Sequence, residues 1–261
     1  YCDGCLCSFD ESFGWTDVSG WRHPGAFGWL YAYDCDLCHG KGKKLTQGRM
    51  TNDSFSRQMY FPTMIFTIEY SDAENLNAYL LDLIYSERDK DQEGIQRSNF
   101  KGLGGWHSHN FLHKNETYKP LTDRIHQTGR RVSRDLGYHS DKYLRAGTMW
   151  SIVNPQGSSN KAHMHPNSHW SGVYYVHAPE GAGDIEFTDP RTAHIMDQPA
   201  FKSNQKRARE NWTKVNVTPR AGRMLLFPSW LYHGVNPNVS NKTGRDADRV
   251  IISFNLSQVN L

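Results

Sequence analysis

Residues 163–176 read HMHPNSHWSGVYYV and combine two features that bear on how the surrounding chain folds. The triplet His163-Met-His165 places two imidazoles on one face of an extended chain, because side chains alternate with a period of two along a strand. The run at 172–176 is rich in β-branched and aromatic residues, which is typical of a strand. The stretch therefore predicts a strand region that carries a pair of possible metal ligands.

Runs of the same kind recur on both sides of this stretch, from Gly147 to the end of the chain. The candidate strands are 148–153, 172–176, 185–187, 212–217, 223–227 and 250–256. Their lengths and the turn residues between them predict an antiparallel sandwich or a small barrel.

Upstream of Gly147 the sequence predicts supporting elements. The segment 60–70 (YFPTMIFTIEY) has strand composition, and Pro62 favours an edge strand. Residues 71–74 (SDAE) form a capping-box pattern, which predicts a helix beginning there and continuing to about residue 88. A second helix is predicted at about 121–136 from apolar residues at helical spacing.

The composition narrows the class of protein. The chain has 261 residues, 37% of them hydrophobic and 22% charged, and its net charge is +3. This balance is that of a foldable chain, and it demands neither a nucleic acid nor a membrane as partner. No apolar run is long enough to cross a bilayer. With no export signal recognisable, we expect a cytoplasmic protein.

All five cysteines lie in the first 38 residues, and the first methionine is Met50. We expect 1–49 to be a Cys-rich appendage outside the functional domain, and 50–261 to be that domain, with supporting elements at 50–146 and the strand core at 147–261. One alternative is a structural zinc held by two Cys-x-x-Cys pairs, which supply four thiolates. The four cysteines concerned are Cys2, Cys5, Cys35 and Cys38. A second alternative is haem attachment at Cys35-x-x-Cys38-His39.

A third histidine, His233, follows the apolar run 224–227. Together with His163 and His165 it could supply three ligands from two neighbouring strands while leaving open positions, which is what a catalytic iron(II) requires. The alternative is that these histidines lie in surface loops. Taken alone, a His-x-His pair is compatible with either interpretation.

Several motifs together resemble the iron(II)/2-oxoglutarate-dependent oxygenases, in particular a bacterial and phage group related to prolyl hydroxylases. They stand in the expected order in this sequence, and the resemblance covers roughly residues 55–261. The motifs are GGWHS at 104–108, HMHPNSHWSGVYYV at 163–176, GDIEFTDPR at 183–191, PRAGRMLLFPSWLYH at 219–233 and RVIISFN at 249–255.

The resemblance implies a mostly β fold with flanking helices, the double-stranded β-helix or jelly roll. It implies that His163 and His233 are the first and last iron ligands. Arg249 matches the anchor of the distal carboxylate of 2-oxoglutarate, a role that suits the planar guanidinium. Three further residues are implied near the co-substrate: Tyr175, Asn154, and Ser253, which we expect to lie on the same strand face as Arg249 and to add a hydroxyl to the same carboxylate.

One departure from the family pattern concerns the second ligand. The wider superfamily has His-x-Asp, whereas the third position here is His165. We expect His165 to replace the aspartate and to complete a site of three histidines. The rival interpretation is that a carboxylate elsewhere, Asp184 or Asp189, completes the more usual set of two histidines and one carboxylate.

The resemblance implies an iron(II)- and 2-oxoglutarate-dependent dioxygenase, a hydroxylase whose partners are 2-oxoglutarate, O2 and an unidentified small-molecule or protein substrate. Relatedness to prolyl hydroxylases suggests a prolyl residue of a protein as the substrate. Two alternatives stay open because the barrel by itself does not define a function. One is a metal-binding or phage structural module without activity, and the other is a cupin-type dioxygenase that uses three histidines and no 2-oxoglutarate.

Overall fold

Ten strands and three α-helices are found in residues 56–95 and 105–260, which are the residues that the computed structural model describes. The helices are α1 (Glu74–Lys90), α2 (Lys119–Asp135) and α3 (Thr192–Met196). The strands are β1 (Phe66–Glu69), β2 (Trp106–His107), β3 (Lys142–Asn154), β4 (Asn160–His163), β5 (Trp170–His177), β6 (Ile185–Thr188), β7 (Lys214–Val217), β8 (Arg223–Pro228), β9 (His233–Val235) and β10 (Arg249–Asn260).

The strands form two antiparallel sheets. The larger sheet has the order β1-β8-β5-β10-β3-β2, and the smaller sheet has the order β4-β9-β6-β7. The two sheets pack face to face, since one buried cluster contains Ile185 and Phe187 from the smaller sheet together with Tyr175 and Ile251 from the larger one. This is the arrangement of a jelly roll, and β1 lies at an edge as Pro62 suggested.

Alternation along the long central strand β10 separates the two cores of the domain. Ile251 faces the inter-sheet cluster, whereas Ile252, Phe254 and Leu256 face the outer cluster. The same alternation divides the adjacent tyrosines of β5, because Tyr175 packs between the sheets and Tyr174 packs outside them. Helices α1 and α2 cover the outer face of the larger sheet, and their buried residues are part of the outer cluster.

The N-cap of the first helix lies two residues after Ser71, the N-cap that the capping-box pattern predicted. Helix α1 begins at Glu74 with Ala73 at the N-cap position, and no side chain caps it. Asp72, which precedes the helix, accepts two hydrogen bonds from Arg124 on α2, at 3.0 and 2.8 Å, so an ion pair ties this turn to the second helix.

Local patterns also missed the shortest strands. Strands β2, β4 and β9 have two to four residues each, too few for a periodic signal, and β3 begins six residues before the predicted strand. None of the helices in the described part is long and apolar enough to span a membrane. The cysteines proposed for zinc, and the domain boundary at residue 49, lie outside the described residues.

Candidate metal centre and co-substrate cavity

Three histidines meet at one end of the smaller sheet. Strands β4 and β9 pair so that His163 lies directly opposite His233, and His165 follows two residues after His163. The ring centroids are 4.6 Å apart for His163 and His233, 4.9 Å for His163 and His165, and 5.2 Å for His165 and His233. One ring nitrogen from each residue lies within 4.8 Å of the others, so the three can hold one metal ion.

Hydrogen bonds fix the orientation of two of these rings. The Nδ1 of His163 lies 2.7 Å from the carbonyl of Lys161, and the Nδ1 of His233 lies 2.8 Å from the carbonyl of Leu231. A carbonyl can only accept, so each Nδ1 donates, and in the neutral imidazole the lone pair is then on Nε2. Backbone contacts of this type orient histidines that bind metals.

The three imidazoles are held in the neutral form. Burial lowers the pKa of His163, and burial together with the neighbouring His163 and His233 lowers the pKa of His165 to about 3. Burial likewise lowers the pKa of His233 to about 4, against the opposing effect of the Leu231 carbonyl. A metal therefore would not have to displace protons from these ligands at neutral pH.

The two rival carboxylates are placed differently. Asp189 is buried and lies 2.9 Å from Arg191 and 2.7 Å from His194. Burial alone would raise its pKa, but these hydrogen bonds outweigh that effect and lower it to about 2. In the described part of the chain, the cluster of ligand-type side chains contains the three histidines and neither Asp184 nor Asp189.

A cavity of about 700 Å³ extends from the histidines between the two sheets. Its volume is within the range of small-molecule sites. The alternation of β10 places every second residue of that strand in the cavity wall, so that Arg249, Ile251, Ser253, Asn255 and Ser257 line it in sequence. The histidines and Arg249 thus belong to one continuous space.

Arg249 is 1% exposed and presents a buried positive charge to the cavity. Its Nη1 donates to the carbonyls of Ala182 and Gly183 at 2.9 and 3.2 Å, and its Nη2 donates to Oδ1 of Asn160 at 3.1 Å. A guanidinium has five N–H donors, so one on Nη2 and the one on Nε remain. The Nε has no hydrogen-bond partner among the described residues.

This unmatched guanidinium edge fits a carboxylate. Among the described residues no Asp or Glu pairs with Arg249, and burial lowers its pKa to about 10, which still leaves it charged at neutral pH. A buried cation without a counter-charge is unfavourable, and parallel N–H groups bind a carboxylate with two hydrogen bonds. The residues present therefore fit the distal carboxylate of 2-oxoglutarate.

Asn154, Tyr175 and Asn160 surround this guanidinium. Asn154 pairs with Arg249 in the β3–β10 register, and its Nδ2 donates to Oδ1 of Asn160 at 2.7 Å. Tyr175 is buried in the cavity wall, where burial raises the pKa of its hydroxyl and the nearby Arg249 acts in the opposite direction. Asn160 was missed by the sequence analysis, because nothing in its local sequence separates it from an ordinary turn residue.

Ser253 shares the cavity face with Arg249 but lies at a different level. A strand advances about 3.3 Å per residue, so the two Cα atoms are separated by about 13 Å. Ser253 pairs directly with Trp150 on β3, and the Trp150 ring centroid lies 5.8 Å from that of His165. Ser253 is therefore at the level of the histidines, and Arg249 is at the level of Asn154 and Asn160.

The stack of His107 on Trp150 is a second feature that the sequence analysis missed. The two rings are nearly parallel, at 10°, with centroids 5.7 Å apart, and both residues line the cavity. No local pattern in the GGWHS motif predicts this stack, because the position of His107 in the cavity wall depends on the two-residue strand β2 and its pairing with β3.

Solved structures similar to this chain include two proteins described as alpha ketoglutarate dependent. The non-heme alpha ketoglutarate dependent carbocyclase SnoK from nogalamycin biosynthesis is 13% identical, with 74% of this chain and 79% of that chain covered and a TM-score of 0.52. The epimerase SnoN of the same biosynthesis is 14% identical, with 76% of this chain and 81% of that chain covered and a TM-score of 0.50. A prolyl-4-hydroxylase from Pseudomonas putida is 13% identical over 75% of this chain and 92% of that one, with a TM-score of 0.49.

These likenesses confirm the double-stranded β-helix fold. None of the curated proteins compared with the sequence matches it. Residues 148–255 match the model of the family described as "Putative 2OG-Fe(II) oxygenase". This match and the histidine cluster indicate an oxygenase dependent on iron(II) and 2-oxoglutarate.

Proposed function

We propose that this oxygenase is a hydroxylase that binds iron(II) with His163, His165 and His233 and anchors 2-oxoglutarate with Arg249. The proposal rests on two features of one cavity. Three imidazoles present ring-nitrogen lone pairs that could bind a metal ion, and a buried guanidinium presents an N–H group that no described residue accepts.

The proposed metal ligands all come from one corner of the smaller sheet. His163 and His233 hold their Nε2 atoms toward the ion because their Nδ1 atoms donate to backbone carbonyls. The backbone N–H of His165 donates to the carbonyl of Ser229 at 2.9 Å, which ties the third ligand to the loop after β8. Three histidines leave the remaining coordination positions for the co-substrate and O2.

In this proposal Arg249 takes one end of 2-oxoglutarate and thereby directs its other end to the metal. Its Nε and Nη2 donate to the distal carboxylate, while Asn160 and Asn154 hold the guanidinium in place. Tyr175 lies near the same group and presents its hydroxyl from β5. When bound, iron(II) and 2-oxoglutarate supply the oxidising chemistry and the protein supplies geometry and exclusion of water.

The sequence-based expectation was that Ser253 adds a hydroxyl to the distal carboxylate, and we propose a different role because of its position along β10. At about 13 Å from Arg249 along β10, its hydroxyl is better placed beside the metal end of the co-substrate than at the distal carboxylate. The substrate we propose is a prolyl or other protein group, and only the resemblance to prolyl hydroxylases supports this choice. A cytoplasmic location is also a proposal, supported by the need for reduced iron.

A cupin-type dioxygenase that uses three histidines without 2-oxoglutarate is the second candidate. The donor set of three imidazoles with no carboxylate favours it. Arg249 distinguishes the two functions, because a site that binds no dicarboxylate has no use for an uncompensated guanidinium in its wall.

The test measures iron(II) affinity and 2-oxoglutarate-dependent succinate formation in the wild type, in His233→Ala and in Arg249→Ala. We expect His233→Ala to weaken iron binding by at least about a hundredfold, since even residues that only support ligands contribute ten- to a hundredfold. We expect Arg249→Ala to keep iron binding and to weaken 2-oxoglutarate binding.

His139→Ala is the matched histidine control, because His139 is exposed and is not one of the clustered histidines. It should behave as the wild type in both measurements. Succinate formation that survives both His233→Ala and Arg249→Ala would contradict the assignment. Iron binding without any 2-oxoglutarate binding in the wild type would instead favour the cupin-type function.

A further inference from the structure

The charges of the cavity wall are distributed unequally, and this bears on the primary substrate of the proposed function. Among the described residues that line the cavity, Arg249 is the one permanently charged side chain, and no Asp or Glu is among them. Four histidines also line the cavity, of which His163, His165 and His233 are the proposed metal ligands and His107 stacks on Trp150. Since Arg249 is taken by the co-substrate in the proposed function, the rest of the wall has no permanently charged side chain to offer a second ligand.

The end of the cavity opposite Arg249 is polar and uncharged. Along β10 the wall continues past Ser253 to Asn255 and Ser257, and Asn255 is about 20 Å from Arg249 at the usual rise of a strand. Trp150, at the level of Ser253, lies next to His165, between the two ends of this wall. We name this region the Asn255 end; it consists of Thr148, Asn255, Ser257, Asn167 and Ser168.

A chain of hydrogen bonds orients one hydroxyl at the Asn255 end. Ser171 Oγ donates to Oδ1 of Asn255 at 2.7 Å, and Ser229 Oγ lies 2.8 Å from Ser171 Oγ. Because Ser171 has a single hydroxyl hydrogen, Ser229 must be the donor in that contact. Asn255 Nδ2 then donates to Thr148 Oγ1 at 3.1 Å.

The direction of this chain leaves a donor at its end. Thr148 Oγ1 accepts from Asn255, so its own hydrogen is not used in the chain, and no described residue accepts it. Thr148 is half-buried and lines the cavity. Its hydroxyl therefore faces the cavity as a hydrogen-bond donor whose position is set by Asn255, Ser171 and Ser229.

We propose that the Asn255 end is the subsite for the primary substrate, that it accepts an uncharged group bearing a hydrogen-bond acceptor, and that Thr148 donates to that acceptor. This inference rests on the proposed function for the assignment of Arg249 to 2-oxoglutarate. Asn255, Ser171 and Ser229 act as positioning residues, and Thr148 determines specificity.

The exclusion of charged groups follows from desolvation. A carboxylate, phosphate or ammonium that enters this end loses part of its hydration and meets hydroxyl and amide groups in the lining, which compensate a charge poorly. An amide, a hydroxyl or an ether oxygen loses less on entry and gains a hydrogen bond from Thr148. An internal residue of a peptide chain or a neutral glycoside suits this end, whereas a free amino acid or a phosphorylated compound does not.

The experiment uses the full chain loaded with nickel(II) in place of iron, so that no turnover occurs. Calorimetry first measures 2-oxoglutarate binding, which tests the proposed function alone. Binding of two probe sets then follows, with and without 2-oxoglutarate. The first set is N-acetyl-L-prolinamide against N-acetyl-L-proline and L-prolinamide, and the second is methyl glucoside against glucose 6-phosphate and glucosamine.

We expect a neutral member of at least one set to bind, and its charged analogues to bind at least about tenfold more weakly, as burial of an uncompensated charge requires. With the tightest neutral probe, Thr148→Val should reduce the affinity roughly three- to tenfold, the range of one neutral hydrogen bond. Thr148→Ser keeps the hydroxyl and should retain the affinity, which separates the donor from the shape of the side chain.

The inference is overturned if no neutral probe binds, if charged probes bind as tightly, or if Thr148→Val and Thr148→Ser are equivalent. Neutral binding that depends on Thr148 in a protein that fails to bind 2-oxoglutarate would support the subsite and overturn the proposed function instead. Circular dichroism of both variants verifies that each is folded.

Discussion

Arg249 and the three histidines are buried in the same cavity, but burial affects them in opposite ways. Each histidine responds by becoming neutral, which is the state in which it can bind a metal. Arg249 stays charged and donates hydrogen bonds to two carbonyls and to Asn160, none of which carries a negative charge. The three neutral histidines are therefore suited to bind a cation, and Arg249 is suited to bind an anion.

Asn160→Asp tests this idea with a change of one atom. An aspartate would keep the acceptor that Arg249 and Asn154 use, and it would add a resident negative charge beside the guanidinium. We expect 2-oxoglutarate binding to weaken by at least about tenfold, because the new charge repels the co-substrate carboxylate and competes for Arg249. The melting temperature should be unchanged or higher, because a buried cation gains a partner.

Asn216→Asp is the matched control, since it makes the same substitution at an exposed position of β7. Calorimetric titration with 2-oxoglutarate and a thermal melt give the two readouts. Equal 2-oxoglutarate affinity in Asn160→Asp and Asn216→Asp would show that Arg249 does not bind the co-substrate carboxylate.

At the scale of elements, the two faces of β5 and β10 have different tasks. The inner face carries Tyr175, Arg249 and Ser253, whereas the outer face packs under the helices. Gly172 on β5 lies opposite Phe254 on β10, and a Cβ there would come within 2.3 Å of the Phe254 ring and 2.7 Å of the Leu225 carbonyl. The glycine thus allows a large aromatic ring to lie flat over a central strand.

Gly172→Ala is therefore expected to destabilise the fold by about 1–3 kcal/mol, the usual effect of overpacking in a core. Gly147→Ala offers the comparison, because a Cβ on that residue of β3 meets nothing within 4 Å. Its free energy of unfolding should differ from that of the wild type by no more than about 0.5 kcal/mol. Urea denaturation of both variants measures the difference, and equal midpoints would contradict the packing argument.

At the scale of the whole molecule, the site exists only because two sheets face each other. The histidines come from the smaller sheet and the loop that follows β4, while Arg249, Asn154 and Tyr175 come from the larger sheet. Helices α1 and α2 take no part in the cavity wall and instead cover the outer face of the larger sheet. Residues Met59–Leu261 form one compact unit that contains all of these parts.

A chain shortened to residues 59–261 should accordingly fold and bind iron(II) and 2-oxoglutarate as the full chain does. All of the side chains proposed to bind either ligand lie in this unit. Circular dichroism, calorimetry and elemental analysis of both chains provide the measurements. Loss of folding or of 2-oxoglutarate binding would contradict the proposed domain division, and stoichiometric zinc in the full chain alone would support the cysteine site.

The local sequence predicted much of this structure, and its failures have a common cause. Runs of β-branched and aromatic residues located the long strands, and helical spacing located α1 and α2 to within a few residues. The first helix begins two residues later than the capping box predicted, and no side chain caps it. Strands β4 and β9 were missed because their few residues are ordered by pairing with distant partners, which no local pattern records.

The same distinction between local sequence and long-range pairing applies to the candidate site. The sequence by itself determined which residue types could act, namely a His-x-His pair, a later histidine and an arginine at the start of a strand, because chemical identity and alternation are local properties. Only the tertiary structure decided where each of these residues lies along the cavity. It brought His163 opposite His233, placed Asn160 against Arg249 and moved Ser253 to the level of the metal ligands, because the register between strands is set by long-range packing of the two sheets.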